Sequence, residues 1–431
     1  MTDTTTTPSA GWLLAALTFL NILNFADRYL IIAFSTAIVP ELQLSNLQFG
    51  LLTGIVFTGI YTVIGLFTGS LADRMHRPRL IAAGLALWSV LTAATGMALN
   101  FAQMAAARML IGVGEACLTP AGLSLLAERF APARRAFASG VYYMGYPLGI
   151  GGSFIFAGMV GPTLGWRGGF MVLGAIGVVA AVLVFALMRD RGREAGAAAS
   201  GKPAHSFADS FRGIGAELRG NPAFGFTLAA STVVAFVLGA GILDLLWWVK
   251  ERGYAAAEAQ KLLGLIFLVG GTLGSILGGI GGDWAHQRQP GGRLKFLAVA
   301  FLVIGPLVAL YRLVPSHTPL FYAGAFLTSV STLLLFGPAF SAVQEQVPSQ
   351  HRGSAVALLL LCAALIGAGG GNACVGWLAD TFAAAGHAEP ITRAILVMLA
   401  LGVPSIPLFF LAARYQARQV ASGAAAAASP A

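Results

Sequence analysis

Runs of roughly 20 to 27 residues with almost no charge recur along this chain, separated by short stretches in which the arginines collect. A helix rises about 1.5 Å per residue, so about 20 apolar residues cross the ~30 Å hydrocarbon layer of a bilayer. In that layer every backbone N–H and C=O needs a partner within the protein, which long continuous runs achieve as α-helices. The ten-residue alternation of an outer-membrane barrel is not the pattern here. The chain is therefore expected to be an all-α polytopic membrane protein. Its charge content agrees, since only 10% of the 431 residues are charged, against about 25% in soluble domains.

The runs read as spans at 12–36, 47–72, 79–100, 103–129, 136–158, 167–188, 223–249, 257–282, 294–313, 319–345, 354–380 and 391–415. This makes twelve transmembrane helices in two six-helix bundles, 12–188 and 223–415. A tail, 1–11, precedes them, a linker, 189–222, joins them, and a second tail, 416–431, follows. The first ten residues carry no positive n-region, which argues against a cleaved signal peptide. In the linker, Ser206 and Asp209 have the spacing of a helix-starting cap, and Phe207, Phe211, Ile214 and Leu218 recur at helical spacing. Either an amphipathic helix on the inner leaflet or a solvated connection fits that pattern.

The net charge of +9 would suit a nucleic-acid partner only if the bases clustered on a soluble surface. They lie instead in alternate short loops: Arg74, Arg77, Arg79, Arg134, Arg135, Arg189, Arg288, Arg293, Lys295, Arg352 and Arg414 fall on one side. The positive-inside rule makes that side the cytosol and places both termini there, in the cell inner (plasma) membrane. Cys117, Cys362 and Cys374 lie inside apolar runs, and the last two stand ~18 Å apart along one helix, too far to bridge to each other.

One span is interrupted by charge. Asn21-Ile22-Leu23-Asn24-Phe25-Ala26-Asp27-Arg28-Tyr29 sets an acid and a base side by side near the middle of the first run. A mid-bilayer charge costs roughly 2.5–3.5 kcal/mol on insertion scales, so such residues face a protein interior or an aqueous cavity and mark ion or substrate routes. Adjacent residues on a helix diverge by about 100°, so Asp27 and Arg28 do not simply neutralise each other. The fourth span supplies the other candidates, Arg108 and Glu115, whose separation of nearly two turns puts both on one helix face. The four residues are expected to form one network. It is either a static lock between two helices or a proton switch in which Glu115 ranks first and Asp27 second. Arg28 or Arg108 could equally receive an anionic head group.

The two halves echo one another. Gly69 and Asp73 after the second span match Gly279 and Asp283 after the eighth, while Glu128 with Arg135 matches Glu345 with Arg352. At these residues the chain resembles the major facilitator superfamily. The loop from Gly69 to Arg79 is similar to its signature between helices two and three, Arg108 with Gly112 to its fourth-helix signature, and Gly145-Tyr146-Pro147 with Gly149, Gly151 and Gly152 to its fifth-helix antiporter pattern. More narrowly, Asn24-Phe25-Ala26-Asp27-Arg28 together with Gly112-Val113-Gly114-Glu115-Ala116 resembles the spinster group. That resemblance implies a secondary transporter working by alternating access, and a lysophospholipid or sphingosine-1-phosphate type of amphiphilic substrate. It also implies a cytosolic gate comprising Asp73, Arg74, Arg77, Glu128, Arg135, Asp283, Glu345 and Arg352. The second-half loop departs from the pattern, with Trp284 where the first half has Arg74 and an insertion at Gly291-Gly292.

Asn24, Phe57, Tyr61, Tyr142, Tyr146, Asp244, Trp247 and Phe336 are the candidates for a substrate cavity, each also explicable as packing or an interfacial anchor. There is no phosphate-cradling Gly-x-x-x-x-Gly-Lys-Ser/Thr, and the six histidines form no metal-spaced pair. No enzyme activity, cofactor or metal is expected. The expected partners are lipid, protons and an amphiphilic substrate, with the chain as a monomer. A uniporter driven by its substrate gradient is the alternative. Reporter fusions at residue 1 and residue 431 test the topology: both are expected to give cytoplasmic signals, and an external signal from either reverses it.

Overall fold

The computed structural model describes residues 10–188, 215 and 217–428. The side chains of some helix residues, Asp73 and Arg74 among them, are outside that description. Most of the linker pattern, including Ser206, Phe207, Asp209, Phe211 and Ile214, lies outside it too.

Eleven helical stretches among the described residues are long and apolar enough to cross a membrane. One of them, Phe137–Leu187, has 51 residues and would measure about 76 Å if straight. It turns at Gly165, where φ is +63°, a backbone state that a side chain would strain. That stretch therefore counts as two spans, and the total is twelve. Observed bounds agree with the sequence to within a few residues at most ends, as in Arg77–Thr95 for 79–100 and Gly292–Tyr311 for 294–313. The exceptions are extensions. The first span continues through Ser35–Glu41, and the last helix runs to Ala428 where 415 was the expected end.

Helix starts follow ordinary capping chemistry. Asn100, Asn221 and Thr318 each accept a hydrogen bond from the backbone N–H three residues on. Pro222, Pro319 and Pro390 occupy first-turn positions where no N–H is needed.

Packing divides the described residues into two compact units. The first holds 10–44, 56–188 and 255–268; the second holds 45–55, 217–254 and 269–428. Two short segments therefore pack away from their own half of the sequence. In the first unit, Gln260 donates to the Ala33 carbonyl at 2.6 Å. In the second, the Asp380 carboxylate accepts from the backbone N–H groups of Asn46 and Leu47 at 3.0 and 2.8 Å.

Small residues set the helix approaches that matter for the first unit, as membrane interfaces favour. A Cβ on Gly149 would stand 2.6 Å from the Ile22 carbonyl oxygen, so the fifth span touches the backbone of the first just before Asp27. The third and fourth spans meet similarly: a Cβ on Gly114 would lie 2.6 Å from the Gly84 oxygen. The second unit is organised around Phe224, Leu297, Leu334, Val343 and Phe409, all buried. Gly114→Leu is expected to force the third and fourth spans apart and lower stability by about 1–3 kcal/mol. Thermal unfolding in detergent checks this, and an unchanged midpoint would contradict the close approach.

Candidate functional site

The close contact of the first span with the fifth, and of the third with the fourth, brings five spans around Asp27 and Arg28. Asp27 is 2% exposed, and its Oδ1 accepts a 2.6 Å hydrogen bond from Thr92 on the third span. Arg28 turns to the fourth span, where Nη2 and Nε donate to Glu115 Oε2 at 2.7 and 3.2 Å. Arg108 donates from Nη2 to the backbone carbonyl of Arg28 at 3.1 Å. All four charged residues predicted to associate are thus gathered inside one unit, with Arg28–Glu115 as the direct ion pair.

Aromatic rings enclose the guanidinium groups. Arg28 lies 5.1 Å from the Phe25 ring centre, 4.7 Å from Phe57 and 4.5 Å from Tyr61. Arg108 lies 4.9 Å from the same Phe57 ring centre, so both cations contact that ring. The negative ring faces offset their mutual repulsion. Tyr146 packs edge-on against Phe25 and shares a 3.3 Å hydroxyl contact with Tyr29. Asn24 is buried beside them in the first span.

The acids are only half satisfied. Asp27 Oδ2 and Glu115 Oε1 are buried without a hydrogen-bond donor, and Arg108 Nε and Nη1 are buried without an acceptor. Each carboxylate therefore has one buried oxygen without a donor, and the two acids lie within reach of one another, so a proton between them would remove negative charge without displacing the bonds from Thr92 and Arg28.

The remaining candidates divide between the two units. In the first, Arg77 is buried and grips Glu128 through two bonds of 2.6 and 2.8 Å, with Ser124 at 2.9 Å. In the second, Arg293 bonds Asp283 at 2.7 Å and contacts Glu345, which also lies near His286 and Gln416. The repeated spacing marks Glu128, Arg135, Glu345 and Arg352 as members of one gate without assigning each acid a partner. The structure pairs both glutamates with the arginine that opens the next-to-last helix before each of them. Arg135 is occupied with the Phe130 carbonyl, and Arg352 is exposed. Seven residues crossing a turn between two helices do not bring their ends together.

Two cavity candidates lie fully buried in the structure. Tyr142 and Trp247 are both 0% exposed. Tyr142 accepts from Asn21 at its carbonyl and meets Thr119 through its hydroxyl, while Trp247 donates to Thr392. They are packing residues in this structure. Phe336 is half-buried against Phe340, and Asp244 forms an ion pair with Arg312. Thr92 was missed because an uncharged hydroxyl in an apolar span carries no signal. Arg293 was read only as a loop charge, although its near-equivalence to Arg77 in the other half could have revealed it.

Removing one partner of a buried pair leaves a stranded charge, so Glu115→Ala is expected to cost about 3–5 kcal/mol. The double variant Arg28→Met/Glu115→Leu is expected to recover most of that loss. Thermal melts of both compared with the parent check it; equal melts for the two variants would show that the pair does not act as a unit.

The sequence profile of the Major Facilitator Superfamily matches residues 17–371. The chain is 28% identical to an MFS-type efflux pump of Mycolicibacterium smegmatis over 95% of its own length and 94% of that protein's. It is 26% identical to protein spinster of Drosophila melanogaster over 89% of its length, spanning 64% of the fly protein. It is 24% identical to a sphingosine-1-phosphate transporter of Xenopus tropicalis over 93% of its length and 82% of that protein's. In fold it is similar to the crystal structure of a bacterial homologue of the human lysosomal transporter spinster, in an inward-facing and unoccupied conformation. That match has a TM-score of 0.84 and 23% identity, covering 95% of this chain and 98% of the other.

Proposed function

The chain belongs to the major facilitator superfamily, as a multi-pass membrane transporter related to the spinster proteins, and on that premise we propose that it is a proton-coupled secondary transporter of amphiphilic, lipid-like molecules. Glu115 and Asp27 are the coupling acids in this reading. The observation that carries it is the half-satisfied network: two buried carboxylates, each with one engaged and one open oxygen, packed among two arginines. Protonating Glu115 cancels the charge that holds Arg28 and leaves a guanidinium whose remaining neighbours are rings. A buried cation without its anion is unfavourable, so the helices bearing them favour a different arrangement. Alternating access then follows as a change in which arrangement is populated.

Glu115 ranks ahead of Asp27 because its loss of charge acts on a direct ion pair, whereas Asp27 answers to a threonine hydroxyl. The amphiphilic substrate rests on the relatives, one of which is a sphingosine-1-phosphate transporter. The cytosolic gate reading extends from Arg77 with Glu128 and from Arg293 with Asp283 and Glu345; Asp73 and Arg74 enter it through their motif alone.

A second reading has one observation in its favour. Arg108 keeps two buried N–H groups without acceptors, and the Arg28 side chain is 20% exposed. An anionic head group bound there would compete with Glu115 for Arg28, in a facilitator that needs no proton. Vesicles containing the purified protein and a fluorescent lysophospholipid, under an imposed pH gradient, separate the two. Proton coupling predicts gradient-dependent transport that falls at least tenfold in Glu115→Gln. Transport that ignores the gradient in the parent makes the facilitator reading the correct one, and a gradient response unchanged in the variant removes Glu115 as the coupling acid. Absence of any lysophospholipid or sphingosine-1-phosphate movement would remove the lipid-like substrate.

A further inference from the structure

The second unit carries its own buried acid and base. Asp244 opens the last helical segment of the seventh span, Asp244–Lys250, directly after the 3-10 turn Gly239–Leu243. Its Oδ1 lies 2.7 Å from Nη1 of Arg312, the residue that closes the ninth span. Arg312 is 2% exposed, with its guanidinium 4.6 Å from the Trp247 ring centre and 4.8 Å from that of Tyr311. Nε and Nη1 of Arg312 and Oδ1 of Asp244 all lack a hydrogen bond of good geometry. The contact at 2.7 Å is a single one between one carboxylate oxygen and one guanidinium nitrogen, not a two-bond fork.

The other charged and titratable groups nearby are committed elsewhere. Glu251 accepts from the backbone N–H groups of Ile391 and Thr392, and Arg252 bonds Glu389 and the Arg312 carbonyl. The Tyr311 hydroxyl accepts from Trp248, and His317 stacks on Tyr254. Among the described residues, Asp244 is thus the acid that balances Arg312. Its side chain is 22% exposed against 3% for its partner, so the carboxylate is the member that a proton can reach.

Two further features single it out. Asp244 follows Asp27 by the same number of positions that separates Glu128 from Glu345 and Arg135 from Arg352. Asp27 lies inside the first helix, Ala10–Ala33, and Asp244 near the end of the seventh span, so each half carries an acid on its opening span but at a different point along it. The helix is also irregular here: a 3-10 turn precedes Asp244, and a π-helical segment, Cys362–Gly369, leads into the glycines that pack against it. A Cβ on Gly239 would lie 2.7 Å from the Asn372 backbone nitrogen, so the 3-10 turn packs against the start of the helix that follows the π-helical segment. Breaks of this kind mark hinges and functional sites within spans.

We propose that Asp244 is a second coupling carboxylate, whose proton-controlled hold on Arg312 sets the position of the segment Asp244–Lys250. This rests on the proton-coupled reading above. One proton adds to the carboxylate, its charge goes from −1 to 0, and Arg312 loses its counter-charge. The segment then shifts about the 3-10 turn until the guanidinium finds water or another acceptor. Asp244 acts through Arg312 and is a positioning residue, so the test reads its protonation directly.

Infrared difference spectra after a pH jump, on the full chain in lipid vesicles without substrate, report protonated carboxyl groups. The parent is expected to show carboxyl bands from more than one acid. Asp244→Asn is expected to lose one component, Asp244→Glu to shift it, and the charge-neutral double variant Asp244→Asn/Arg312→Gln to lose it while eluting as a folded monodisperse species. Spectra of Asp244→Asn and the double variant identical to the parent overturn the proposal. If Glu115→Gln or Asp27→Asn removes bands while Asp244→Asn removes none, this inference alone falls. Absence of carboxyl bands in the parent removes both it and the coupling reading.

Discussion

A charge inside a membrane-spanning helix is tolerable only beside its opposite, and that condition organises the first unit. Asp27 and Arg28 sit one residue apart but point in different directions, so each must be answered from a different span. Thr92 answers the acid and Glu115 the base, while Phe57 and Tyr61 fill the faces of the guanidinium. Glycines make this possible. Without Gly149 the fifth span could not approach the first closely, and without Gly84 and Gly114 the third span could not bring Thr92 to the same depth as the fourth.

The same logic repeats at the ends of spans in each half with a different outcome. There each half clamps a glutamate, Glu128 or Glu345, with the arginine near the start of an earlier helix, Arg77 or Arg293. These clamps are partly exposed, so they carry less energy than the buried pair and suit contacts that form and break. The buried network holds its charge away from water, with Arg28 and Glu115 paired inside the unit. The surface clamps hold charge that water can also serve.

How much of this was legible in the sequence varies with the physics involved. Spans were legible because a bilayer admits few backbone solutions and announces them by length and apolarity. Membership of the buried network was legible because charge within a span is rare. The pairings were not. That Arg28 and Glu115 would form the direct pair, or that Glu128 would choose Arg77 over Arg135, depends on helix rotation and on which glycine faces which backbone. Tyr142 and Trp247 show the same limit: an aromatic residue in a span has the same sequence signature whether it lines a cavity or fills a core.

The sequence by itself determined the twelve spans, the membrane setting, the superfamily motifs and the four residues that had to find one another, since each follows from composition, spacing or the cost of burying charge. Tertiary structure decided who pairs with whom, that Thr92 joins the buried network and Arg293 a separate cluster in the second unit, and that Asp244 meets Arg312 after a 3-10 turn. Those outcomes depend on distances of a few ångströms between segments far apart in the chain, and local pattern carries no information about them.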